Sequence, residues 1–133
     1  MSDLKKQLRL EDIININDTA EEDVPMPEWG KGVYIRIRSM TGEGRDAYEQ
    51  SLFKADSSGN YERDLSNARA KLIAACAIGP DGQRMFKDES HVKMLGNKSS
   101  VALDRLFSAC QKLNAIGDTD MDELVGKSET DQP

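Results

Sequence analysis

The sequence predicts an α+β fold, mainly α-helical, in which an N-terminal β-hairpin packs on four to five helices. Three observations predict it. Val33, Ile35 and Ile37 alternate with Tyr34, Arg36 and Arg38, the period of a half-buried strand. Beyond residue 40, apolar residues recur at helical spacing between recognisable caps and stops. The 133 residues, 38% hydrophobic and 32% charged, suit one domain with one modest core. Aromatics are only 5%, so that core must be mainly aliphatic.

Residues 1–20 read as a flexible or docking N-terminal arm. Leu8, Leu10, Ile13, Ile14 and Ile16 can make a short helix or strand that docks on a neighbour, and Asn15, Asn17 and Asp18 break the pattern. A single globular domain is expected over 21–125, opening with a hairpin at 21–39. Its first arm holds Val24 and Met26 at period two, with Pro25 and Pro27 on the opposite parity. Proline gives no ladder donor, so this arm should be an edge strand. Trp29-Gly30-Lys31-Gly32 links the arms, with two glycines able to take the positive φ of a tight turn.

Thr41 is the expected N-cap of a helix over about 41–54, with Ala47, Tyr48, Leu52 and Phe53 inward. Asp56-Ser57-Ser58-Gly59-Asn60 is a loop. A second helix is expected over about 62–77, on a stripe of Leu65, Ala68, Leu72, Ile73, Ala75 and Cys76. Gly79-Pro80-Asp81-Gly82 ends it. Asp88 caps a short helix over about 88–95 containing Val92 and Leu95. The strongest helix runs over about 99–116, with Leu103, Leu106, Phe107, Cys110 and Leu113 on one face. A last short helix is expected around Met121, Leu124 and Val125, and 126–133 reads as a disordered tail.

The net charge of −6 is unevenly spread. Residues 1–30 carry 3 basic and 8 acidic side chains, residues 31–117 carry 14 and 10, and residues 118–133 carry 1 and 6. An acidic chain has no general attraction for a phosphate backbone, so nucleic acid is not expected as a partner. No apolar run approaches the roughly 20 residues that span a bilayer, so no membrane is expected. Met1-Ser2-Asp3-Leu4-Lys5-Lys6 leads into no signal-peptide core, and Cys76 and Cys110 suit a reducing compartment.

Catalytic and cofactor chemistry find no support, and no enzyme, cofactor or metal is expected. His91 is the lone histidine and has no partner ligands at metal spacing. Cys76 and Cys110 fall on apolar stripes, where thiols behave as small hydrophobes. The acidic runs lie in segments too polar to shift a pKa, and Asp118–Glu123 lacks the glycine and final glutamate of a calcium loop. Thr41-Gly42-Glu43-Gly44 lacks the lysine of a phosphate loop.

A succession of motifs between about 23 and 117 carries a resemblance. Val24-Pro25-Met26-Pro27-Glu28-Trp29-Gly30 is followed by the alternating strand and then Met40-Thr41-Gly42-Glu43-Gly44. Next come Ala68–Cys76, Gly79-Pro80-Asp81-Gly82 with Phe86 downstream, Leu95-Gly96-Asn97, and Leu103–Phe107 with Lys112-Leu113-Asn114. This order resembles the tail assembly chaperones of long-tailed, siphovirus-type bacteriophages, over roughly seven-tenths of the chain. Pro27 and Gly44 are departures, and Gly44 should weaken its helix by up to about 1 kcal/mol relative to alanine.

The resemblance implies a late protein of the host bacterial cytoplasm that binds and solubilises the tape measure protein before the tail tube polymerises. It implies absence from the mature virion, and contact with the tail tube protein through a form extended by programmed frameshifting. Val125-Gly126-Lys127 can be encoded by the slippery heptamer G-GGA-AAG. Self-assembly into oligomers is a further expectation. The alternatives are a structural or connector protein retained in the virion and, from another class, a small enzyme or regulator of the host.

The candidate partner-binding residues are Trp29, Tyr34, Arg36 and Arg38, since aromatics and arginines are enriched at binding hot spots. The competing reading has Trp29 closing the core edge and both arginines merely solvated. If the first holds, Arg36→Glu with Arg38→Glu should leave folding intact and weaken co-purification of the partner. Undiminished co-purification would count against this face.

Overall fold

The computed structural model describes residues 3–116. Helix α1 (Leu10–Ile14) stands in the arm, and strands β1 (Glu21–Pro25) and β2 (Tyr34–Arg38) form the hairpin. They pair antiparallel with Val24 opposite Ile35 and Pro25 opposite Tyr34. The Met26 N–H donates to the Val33 carbonyl at 3.0 Å and the Ser39 N–H to the Ala20 carbonyl at 2.8 Å. Even residues of β1 therefore bond the odd residues of β2, and Pro25 falls where its missing N–H faces outward. This is the edge position that the prolines predict. A turn of 3-10 helix (Pro27–Trp29) and two glycines at φ 153° and 75°, Gly30 and Gly32, reverse the chain.

The same alternation buries Val24, Met26 and Ile37 and half-buries Ile35, while Val33 at the turn remains exposed. A third strand was not legible. Strand β5 (Ala77–Ile78) pairs with β2 through Arg36 and Ile37, giving the order β1-β2-β5. The helix expected over 62–77 is thus shorter at both ends. Helix α3 spans Ala68–Cys76, and Ala77 leaves it in extended conformation to join the sheet.

The first helix is also shorter than the expected 41–54. Helix α2 runs Gly42–Gln50, with the Thr41 side chain accepting from the Gly44 N–H. Tyr48 and Leu52 are buried as expected, but Ala47 and Phe53 are exposed. Phe53 belongs instead to β3 (Phe53–Ala55), which pairs with β4 (Tyr61–Arg63). The Asp56 carboxylate accepts from the backbone N–H groups of Ser58 and Asn60, each at 2.9 Å, and so closes the loop between them. That local turn chemistry, with cross-strand pairing, overrides the helical pattern on both flanks. Leu65 is 51% exposed and belongs to no helix.

Helices α4 (Glu89–Gly96) and α5 (Ser100–Leu113) fall close to their expected limits, capped by Asp88 and Ser99. Leu103, Leu106 and Cys110 are buried, with Phe107 and Leu113 half-buried beside them. Gly96 is required by a close approach: a Cβ there would collide with the side-chain amide of Asn67, the residue that caps α3. The segments expected as a last helix and a tail lie outside the described residues.

Asn114, just past α5, ties three elements together. Its Oδ1 accepts from the Met40 N–H at 2.6 Å. Its Nδ2 donates to the Cys110 carbonyl at 2.8 Å and the Cys76 Sγ at 3.3 Å. Arg45 donates to its main-chain carbonyl at 3.3 Å. Asn114→Ala strands the Met40 amide in a half-buried setting and should cost about 2–3 kcal/mol in urea unfolding. A loss below about 0.5 kcal/mol would mean that water replaces these bonds.

Candidate partner-binding surface

The outer face of the hairpin is set by strand parity. Glu21, Asp23 and Pro25 of β1 lie across from Arg38, Arg36 and Tyr34 of β2. The Arg36 guanidinium grips both Asp23 carboxylate oxygens, at 2.7 and 3.1 Å. It also lies 5.8 Å from the centre of the Tyr34 ring. Arg38 donates twice to Glu21 Oε2, at 3.0 and 2.9 Å. The hydrogen bond from Arg36 holds the Asp23 carboxyl below its ordinary range, and the same contact raises the guanidinium.

The candidate residues are therefore not one free cluster. Tyr34, Arg36 and Arg38 share a face, but each arginine is already matched by an acid directly opposite. Trp29 turns away from them and packs half-buried against the core. A glutamate at position 36 or 38 would face a like charge across the ladder, which is destabilising. The double Glu variant accordingly perturbs the hairpin, and glutamine at both positions is the cleaner substitution. The acidic partners were detectable in principle, since Glu21 and Asp23 sit at period two in the first arm.

Two adjoining clefts flank the hairpin. One, of about 410 Å³, runs along the free end of β2 and is lined by Val33, Tyr34, Ile78, Pro80 and Met85. The other, about 390 Å³, lies between Trp29, Ile35, Met85, Met94 and Lys98. Met85 borders both. Strand β2 leaves this apolar edge uncovered because its pairing with β5 stops at Arg36, where Gly79-Pro80 turns the chain away. Proline has no N–H with which to continue the ladder. On the second hairpin, Phe53 and Tyr61 add exposed aromatic surface.

Below Trp29, Glu28 forms a two-pronged ion pair with Arg105 of α5, clamping the hairpin turn to the helices. Nothing in the sequence pattern announces it, because the partners are 77 residues apart. The Arg105 hydrogen bonds, then a backbone amide, hold Glu28 at about 2, against its ordinary 4.5.

Among the described residues, no group of three His, Cys, Asp or Glu side chains could hold a metal ion. The His91 ring accepts from the Lys87 N–H at 3.2 Å. Cys76 and Cys110 are buried free thiols, and Cys110 is held well above its ordinary range by its hydrogen bond to Cys76 and by burial. No described helix is long and apolar enough to cross a membrane.

No protein-family model matches the chain, and a search of curated proteins finds no match. Among solved structures, the tail assembly chaperone of bacteriophage HK97 matches over 82% of this chain and 96% of that one, with a TM-score of 0.53 and 19% identity. The chain shares its fold with a phage tail assembly chaperone. The family whose motif order the sequence resembles is thus also the one met by the three-dimensional comparison.

The Glu28–Arg105 clamp makes a pH prediction. A carboxyl depressed in the folded state contributes stability that is complete above its unfolded pKa, near 4.5, and lost as pH falls through about 2. The Glu28 carboxyl carbon should therefore titrate near the lower value by NMR. In Arg105→Gln its midpoint should return most of the way to 4.5. An unmoved midpoint would assign the shift to the backbone amide instead.

Proposed function

We propose that this protein is a phage tail assembly chaperone that binds the tape measure protein and keeps it soluble before the tail tube polymerises. The observation that carries this reading is the fold shared with the HK97 tail assembly chaperone, supported by the ordered motifs from Val24 to Asn114. The role is binding rather than catalysis, carried out in the host cytoplasm, and the protein is absent from the finished particle. A frameshift-extended form brings the tail tube protein to the complex.

The physical chemistry suits that task. A tape measure protein is a long helical chain whose apolar stripes aggregate if left bare. Many copies of a small protein with net charge −6 would cover those stripes and keep the assembly soluble. Release to arriving tube subunits requires each contact to be modest, with affinity coming from repetition. The surface offers shallow apolar clefts and exposed aromatics, which suit weak contacts repeated along a helix. Trp29 borders one of those clefts, and Tyr34 and Arg36 border the other.

Co-expression with the tape measure protein from the same genome tests the reading. The tape measure protein should remain soluble and co-purify with many copies of this chain, and the chain should be missing from purified particles. Precipitation regardless of co-expression would overturn the chaperone role. Stoichiometric presence in particles would make the protein a virion component.

A further inference from the structure

Cys76 and Cys110 are the only cysteines of the chain, and the fold brings them together. Cys76 ends α3 and Cys110 lies near the end of α5, two helices that pack on each other. The Cys110 S–H donates to the Cys76 sulfur. One amide nitrogen, Asn114 Nδ2, reaches both residues, at 3.3 Å from Cys76 Sγ and 2.8 Å from the Cys110 carbonyl. Neither thiol takes part in the partner-binding surface.

The two sulfurs do not share one environment. Cys110 is fully enclosed. Cys76 is nearly so, but it forms part of the wall of a cleft of about 230 Å³, together with Arg38, Thr41, Gly44, Gln83 and Arg84. The Arg84 guanidinium is fixed there by the carbonyls of Ala74 and Phe86, both at 3.2 Å, which leave its positive charge uncancelled. Arg38 adds a second guanidinium, which Glu21 balances. Hydrogen-bond donors and a nearby cation favour the charged form of a thiol. The Cys110 hydrogen bond, then Asn114 and the Arg84 charge, hold Cys76 below its ordinary 9.0 against the opposing effect of burial. A thiolate-leaning sulfur at a cleft wall, with a second thiol directly behind it, is the arrangement of a redox-sensitive pair.

We infer that Cys76 is an oxidation site and Cys110 its resolving thiol, the two closing a disulfide between α3 and α5. The oxidant is a peroxide, which takes two electrons. The Cys76 thiolate displaces hydroxide from hydrogen peroxide and becomes a sulfenic acid. The Cys110 sulfur then attacks the Cys76 sulfur. The S–S bond forms, the S–O bond breaks, and the Cys110 proton leaves with the hydroxyl as water. The net change is one peroxide and two thiols to one disulfide and two waters. The new bond fastens to α5 the end of α3 from which Ala77 enters the sheet beside Ile37.

Peroxide treatment of the reduced, folded full chain, followed by denaturation, alkylation and mass spectrometry, tests this. The intact chain should lose two hydrogens and take no alkyl group, and an unreduced digest should contain one peptide pair joined through Cys76 and Cys110. Oxidation should raise the melting temperature by roughly 10 °C, because the bond closes a long loop, and dithiothreitol should restore the starting value. In Cys110→Ser the reaction should stop at the sulfenic acid, which dimedone then labels at Cys76. Arg84→Gln should slow disulfide formation about threefold or more, while Arg84→Lys keeps the charge and most of the rate. A folded chain that retains both thiols, or that links two molecules instead, would overturn the inference. So would a disulfide that melts no higher than the reduced chain, an unchanged rate in Arg84→Gln, or dimedone labelling that favours Cys110 in Cys76→Ser over Cys76 in Cys110→Ser. None of these readouts involves a partner protein, so the chaperone reading stands or falls separately.

Discussion

Helix α3 is only nine residues long, and five of them, Ala70, Leu72, Ile73, Ala74 and Cys76, are buried. These positions do not share one stripe, so the helix must be covered on nearly every side to exist in water. It packs against α2, α4, α5 and β2, and each of those elements buries its own apolar face against it. Cutting Leu72 or Ile73 back to alanine typically costs about 2–5 kcal/mol, a large share of a small domain's stability. The rest of the architecture follows from this need to surround α3. The hairpin lies on one side through Ile37 and Met26, and α5 on another through Leu103, Leu106 and Cys110.

Covering a helix so completely brings backbone polar groups inward, and these must find partners. Asn114 answers this at the junction of β2, α3 and α5, and Arg84 does the same elsewhere by donating to the carbonyls of Ala74 and Phe86, both at 3.2 Å. No buried side-chain polar atom among the described residues lacks a partner. Exposed large apolar side chains lie away from this core, at the hairpin rim, on the β3–β4 hairpin, in the arm, and at Leu65 and Val101.

The outer face of the hairpin shows how a local reading of charge can mislead. Arg36 and Arg38 look available in the sequence, yet each meets an acid across the ladder, leaving the pair of strands nearly neutral. Exposed ion pairs of this kind contribute little to stability. They fix register instead, because a slip by one residue would set every charge and every apolar side chain on the wrong face. On the β5 side of β2, Tyr34 remains open where the ladder stops beyond Arg36 and Ile78.

Much of this was legible from residue order alone. The alternation from Val33 to Arg38, the prolines at 25 and 27, and the caps at Thr41, Asp88 and Ser99 each act within a few residues, so the sequence by itself determined the hairpin, its edge position and three of the helix starts. What only the tertiary structure decided depends on distant partners. Phe53 and Tyr61 became strand because they pair with each other's segments, and Ala77 left its helix because β2 offered it a ladder. Trp29 parted from Tyr34 because the core lies on its side of the turn. The Glu28–Arg105 clamp, the Asn114 junction and the Met85–Met94 cleft join residues that no periodicity connects, since their contacts exist only once α3 has been enclosed.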